Sequence, residues 1–265
     1  MKRKLMVVLG VAALSLLATG CQKLKARDQL NKGVQAFRNA QYSQAVEHFK
    51  TAVELDPTFT TARLYLGTAY MNQYIPGAES PENVQMAQAA FDEFNRVLDA
   101  NPKDTVAIGY IAMLKLQQKK WDESKEWYQR LVSVDPTNKE AYYSLGFIAW
   151  SKWYPIYGTA RANLGMKPED PGPIKDKKVK EELRAKHLPE VNEGLTNLEK
   201  ALQLDPEYDD AMAYVNLLIR ERADLYDTPE EYRKEIDTAD NWIQKALAAK
   251  KAKAERKPAG GITAE

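Results

Sequence analysis

GVQAFRNAQYSQAVEHFKTAVELDP, Gly33 to Pro57, is the stretch that decides the fold of this chain. Gly33 through Tyr42, Ala45, Phe49 and Ala52 follow an apolar pattern at helical spacing, and Asp56-Pro57 ends it. The ending recurs as Asn101-Pro102, Asp135-Pro136 and Asp205-Pro206, at spacings of 45, 34 and 70 residues. One interval is therefore a bare 34-residue unit, and the others are lengthened by 11 and 36 residues. A helix pair with one apolar stripe per helix cannot bury that stripe alone, so successive pairs must stack.

Within the units, small residues recur where paired helices must approach: Gly33, Gly67, Ala112 and Gly146 on the first helices, and Ala45, Ala90, Ser124, Gly194 and Ala239 on the second. Glycine inside a helix costs about 1 kcal/mol against alanine, so its recurrence calls for close packing. Bulky residues at Phe49, Phe94, Tyr128, Leu198 and Ile243 fill the remaining space.

These residues resemble the tetratricopeptide repeat (TPR) family over Gln29 to about Leu247. The resemblance implies an all-α, right-handed superhelical solenoid of about five helix pairs. Gln29, Arg63, Ile108 and Met212 replace the aromatic that often opens the first helix, and Asn216 stands where a small residue is usual. Two insertions interrupt the array. One is centred on 72–82, where Ser80-Pro81-Glu82 reads as a helix start. The other, 151–188, opens with Trp153, Tyr154, Pro155 and Tyr157, and Asp176 to Leu188 forms a short charged helix in this reading.

Residues 1–20 read as an export signal: Lys2, Arg3 and Lys4, an apolar run from Leu5 to Leu17, then Ala18-Thr19-Gly20. That run is shorter than the roughly 20 residues of a membrane span. Cys21, the sole cysteine, follows at once and resembles the modified residue of a bacterial lipobox, although Ala18 is not the usual leucine. The resemblance implies lipidation at Cys21 and, with Gln22 next, an outer-membrane location facing the periplasm. The alternative is an ordinary signal peptide with an incidental cysteine. Residues 21–28 then form a mobile tether, 29–250 the solenoid and 251–265 a basic flexible tail. The tail is either a patch for anionic lipid or cell-wall polymer, or a solvated, frayed end.

Without the first twenty residues the chain holds 35 basic and 37 acidic side chains, a balance that gives no general affinity for nucleic acid. No phosphate-binding glycine loop, nucleophile elbow, paired histidines or calcium loop occurs, so no catalytic, metal or cofactor site is expected. His48 and His187 are the only histidines.

TPR proteins line their inner face mainly with first helices. Carried residue by residue, that pattern places Leu64, Tyr65, Gly109, Tyr110, Met113, Tyr143, Phe147, Trp150, Ala213, Tyr214 and Arg220 along a groove. Amphipathic aromatics in such a trough suit a protein or peptide partner. Three alternatives remain. The 151–188 insertion folds back and fills the trough with Trp153, Tyr154 and Tyr157; the trough carries an apolar small molecule; or the insertion holds an enzyme site using His187 or acidic residues.

Overall fold

The computed structural model describes residues 2–256, with side chains from Gly20 onward. Among the described residues the chain is helical, without strands: α1 Lys2–Arg38, α2 Tyr42–Leu55, α3 Thr60–Gln73, α4 Pro81–Ala100, α5 Thr105–Gln117, α6 Trp121–Val134, α7 Lys139–Asn163, α8 Lys177–Leu204, α9 Asp209–Ala223 and α10 Pro229–Arg256. They fall into two compact units, Met1–Ser124 and Lys125–Glu265.

The recurrent Asp/Asn-Pro pairs act through the side chain before the proline. Asp56 accepts from the backbone N–H and hydroxyl of Thr58 at 3.1 and 2.6 Å, and Asp135 does the same with Thr137 at 3.0 and 2.7 Å. Asn101 and Asp205 accept from the N–H groups of Lys103 and Glu207. Each side chain supplies a local acceptor as the helix stops, while proline denies the helix a further donor.

In the first unit, α1 packs on α2 and α3 on α4. A Cβ placed on Gly33 would lie 2.4 Å from the Phe49 ring, and one on Gly67 would lie 2.6 Å from the Phe94 ring. Both rings are fully buried. The missing aromatics at the helix starts are replaced by polar pairs: Gln29 bonds His48 at 2.8 Å, and Arg63 meets Glu93 at 2.9 Å. His48 and Glu93 are each the residue before a core phenylalanine. The shorter insertion is a loop from Tyr74 to Ser80, in which Asn83 bonds both the N–H and the carbonyl of Ile75 and Ser80 caps α4.

Residues 21–28 are not a loose tether. They continue α1 without a break, and Ala26 is fully buried. The physical reason is local: the segment lacks glycine and proline after Gly20, and Ala26 has a surface to bury against.

In the second unit, Gly146 receives Leu198, with a Cβ there 2.4 Å from the leucine, and Gly194 lies against Ala149. Asn216, the departure from a small residue, donates to the Ala239 carbonyl at 2.6 Å across the α9–α10 contact. The 151–188 insertion is chiefly helix lengthening: α7 runs on to Asn163 through Pro155, and α8 begins at Lys177 and passes Pro189. The expected short helix Asp176–Leu188 is thus the first part of α8, with Asp176 as its cap. Only 164–176 is loop. Gly172 and Ile174 pin that loop to Tyr232 and to the Asp224 carbonyl.

The helix α10 extends to Arg256, past the expected start of a flexible tail at 251. Lys253 pairs with Asp209 at 2.5 Å and Arg256 with both oxygens of Glu207 at 2.7 Å. Met1 and the remaining tail, including Lys257 and Gly260-Gly261, lie outside the described residues.

Candidate partner-binding face

Four aromatic residues of α7 follow one helix face at intervals of three or four: Tyr143, Phe147, Trp150 and Tyr154. Tyr214 of α9 sits among them. Its ring lies 5.7 Å from Tyr143, 5.3 Å from Phe147 and 5.2 Å from Trp150, with interplanar angles of 67°, 88° and 66°. These edge-to-face contacts suit the ring quadrupoles. Tyr154 stacks on Trp150 at 5.1 Å and stays 50% exposed, while the other four are half-buried.

Beneath this face lies a charged layer. The Trp150 indole donates to Glu221 Oε1 at 3.0 Å, and Glu221 is 95% buried. Burial pushes its carboxyl up to about 8; the indoles of Trp150 and Trp153 oppose the shift, and the charge of Asp224 adds to it. Arg161 forms a buried pair with Asp224 and donates its other arm to the carbonyls of Lys167 and Asp170. Burial raises the Asp224 carboxyl against the pull of Arg161, and it raises the Tyr157 phenol, which donates to Asp224 at 2.9 Å. Burial raises Tyr143 as well, and pushes Tyr208, which packs 5.1 Å from Tyr143, up to about 12.

The insertion therefore divides its aromatics. Trp153 enters the core, 2% exposed, and Tyr157 serves the charged layer, whereas Tyr154 lengthens the exposed face. Beside Tyr154 a cavity of about 310 Å³ is lined by Tyr157, Met166, Leu217, Arg220 and Glu221. Arg220, expected in the groove, is tied to Asp240 of α10. A larger, mainly apolar cleft of about 550 Å³ lies between the extensions of α7 and α8, lined by Ile156, Leu164, Leu183 and His187 among others. The His187 ring lies 5.8 Å from Trp153. Among the described residues no cluster of three His, Cys, Asp or Glu side chains could hold a metal.

In the first unit the expected face is made differently. Tyr65 stacks on Phe49 at 5.4 Å and Tyr110 on Phe94 at 5.2 Å, while Leu64 and Met113 are half-buried. Each tyrosine follows its phenylalanine by sixteen residues, as Ser144 follows Tyr128 and Tyr214 follows Leu198. Tyr128 bonds Ser144 instead of stacking. By this register Ser144, not Tyr143, is the counterpart of Tyr65, Tyr110 and Tyr214. Cys21 is exposed on α1.

Tyr208, Tyr154 and the acids Glu221 and Asp224 were not among the expected groove residues. Glu221 carried a signal, since it falls three residues after the core Leu218 on an otherwise apolar stripe.

A family model for the tetratricopeptide repeat matches residues 30–105. The fold is that of a tetratricopeptide array. Among solved structures, a crystal structure of MamA has a TM-score of 0.56 at 14% identity, covering 89% of this chain and 98% of that one. MamA 41-end from Desulfovibrio magneticus RS-1 has a TM-score of 0.56 at 16% identity, covering 86% and 96%. YrrB, described as a TPR protein with an unusual peptide-binding site, has a TM-score of 0.50 at 18% identity, covering 84% and 90%. At these identities the likeness is one of fold. A search of curated proteins finds no match.

Proposed function

We propose that this TPR chain is a non-catalytic scaffold that holds another protein in a bacterial cell envelope, anchored by lipid on Cys21 and facing the periplasm from the outer membrane. The observation that carries the binding role is the run from Tyr143 to Tyr154 around Tyr214: five rings linked by pairwise contacts, none fully buried, the last half in solvent. Rigid amphipathic rings give a partner large contact area at low entropic cost, and aromatic residues are enriched in interface cores. A peptide-binding site on YrrB supports the idea that such an array can offer one. The anchor rests on the lipobox-like run before Cys21 and on the exposure of that cysteine.

A photo-crosslinking residue at Tyr154, introduced in living cells, tests the binding role. The expected result is one dominant adduct that weakens when Phe147→Ala is added; an adduct pattern identical to that from exposed Gln85 overturns it. Mass spectrometry of the membrane fraction tests acylation directly.

The cleft between α7 and α8 favours a second reading, a carrier of an apolar small molecule. Gentle purification followed by native mass spectrometry distinguishes it, because a retained ligand adds a fixed mass that is lost on denaturation.

A further inference from the structure

The start of α1 carries an arrangement that the scaffold reading leaves unused. Ala26 is fully buried, which fixes the orientation of the helix there. At 100° per residue, Leu24 points about 160° away from Ala26 and Cys21 about 140° away, so the two share the outward face. Leu24 is 70% exposed, a large apolar side chain with nothing covering it among the described residues. Lys25 lies on one flank of this face, and Lys23 and Arg27 lie on the other, all exposed. The Asp56 carboxyl is lowered chiefly by its hydrogen bond from Thr58 and only in smaller part by Lys23 and Arg27, neither of which forms an ion pair within 4.0 Å among the described residues. Asp28 lies on this face itself, one turn beyond Leu24, and is paired there with Lys32 at 2.7 Å.

An apolar side chain flanked by three cations, its one neighbouring acid already ion-paired, next to the residue proposed to carry lipid, is complementary to an anionic phospholipid surface. There the leucine enters the headgroup boundary and the bases meet phosphates. We infer that the first helical turns after Cys21 lie against anionic lipid headgroups, so that the array stands on the membrane through a rigid helix instead of hanging from a flexible tether. The geometry sets the distance. Five residues of helix separate Cys21 from the first buried contact at Ala26, a rise of about 7.5 Å. Farther along the same side, Asn31, Lys32 and Gln35 are polar and offer no apolar anchor, which confines the contact to the start of the helix.

This inference rests on the lipid-anchor reading, but its test does not require natural acylation. Cys21 is the only thiol, so the chain from Cys21 to its end can be coupled to a maleimide lipid in vesicles containing 30 mol % phosphatidylglycerol in phosphatidylcholine. A photo-crosslinking residue at Leu24 then reports lipid contact, and one at Gln35, about 16 Å farther along α1, serves as the comparison. Lipid capture is expected to be stronger at 24 than at 35. It is expected to fall about fivefold or more in pure phosphatidylcholine, or on combining Lys23→Glu, Lys25→Glu and Arg27→Glu. Capture at 24 no greater than at 35, or unchanged by charge reversal, overturns the inference. Circular dichroism of the charge-reversed chain checks that helicity survives, as expected for exposed positions. Failure to find acylated protein in cells, with capture at 24 intact, removes the lipid anchor and leaves the surface contact standing.

Discussion

Trp150 and Glu221 are joined by one hydrogen bond of 3.0 Å, and it links the exposed aromatic face to the buried acid beneath it. The bond makes the face sensitive to the ionisation of a group that solvent barely reaches. Glu221 has a folded pKa of about 8 against an ordinary value of 4.5, so between those values the folded chain holds a proton that the unfolded chain has lost. Stability contributed by this group is complete below pH 4.5 and is lost as pH rises through 8. The full effect is on the order of a few kcal/mol. Glu221→Gln keeps an acceptor for Trp150 and removes the titration. Urea unfolding at pH 5, 6, 7 and 8 is expected to show the variant gaining on the parent as pH rises; parallel curves would sink the assignment.

The glycines of the first helices make a separate prediction. Alanine at position 67 gains about 1 kcal/mol of helix propensity, yet its methyl would sit 2.6 Å from the Phe94 ring. Overpacking a tight contact costs roughly 1–3 kcal/mol, so Gly67→Ala is expected to lower the thermal midpoint. Adding Phe94→Leu is expected to recover part of the loss, because the smaller side chain makes room. A rise in midpoint for the single variant would show that the ring moves away freely.

Arg63 and Glu93 replace an aromatic contact with an ion pair whose side chains are only 13% and 10% exposed. Removing the arginine alone leaves a buried carboxylate whose remaining partner, Arg96, is more than half exposed. Arg63→Ala is expected to cost about 1–3 kcal/mol, and Arg63→Met with Glu93→Leu less than that, since no charge is then left behind. Chemical denaturation of the parent, the single variant and the double variant checks the order.

How much of this was legible beforehand depended on whether the signal was local. The Asp/Asn-Pro stops and the small-to-large pairs Gly33–Phe49, Gly67–Phe94 and Gly146–Leu198 follow from spacing, because each sits at a fixed place in its repeat. The 151–188 insertion did not follow. Pro155 stands at the opening of the expected insertion, yet α7 continues through it, where Trp153 buried against the α8–α9 core and Tyr157 bonded to Asp224 hold the helix in place. Those contacts join residues 34 and 67 positions apart, Trp153 to His187 and Tyr157 to Asp224, and nothing in a single sequence announces them. The same holds for the candidate face. Tyr143, Phe147, Trp150 and Tyr214 were expected on it and the structure brings them together, but their support by Glu221 and extension by Tyr154 depend on how α7 and α9 meet.

That support decides which substitution can test binding. Trp150→Ala removes the 3.0 Å hydrogen bond to Glu221 Oε1 and opens a hole beside Tyr214, so any loss of partner capture would be entangled with a loss of stability of about 3 kcal/mol or more. Tyr154 is the better probe. Half of it is already in solvent, and its packing on Trp150 is a single stacked contact. Tyr154→Ala is expected to change unfolding free energy by about 1 kcal/mol or less, while a centrally placed interface aromatic costs a complex about 2 kcal/mol or more when truncated. Quantifying the adduct from a crosslinker at nearby Ser151, in cells carrying the Tyr154→Ala chain, separates the two effects. A chain that unfolds like the parent but captures its partner at a small fraction of the parent level places the contact on this face. Undiminished capture moves the binding surface elsewhere on the array.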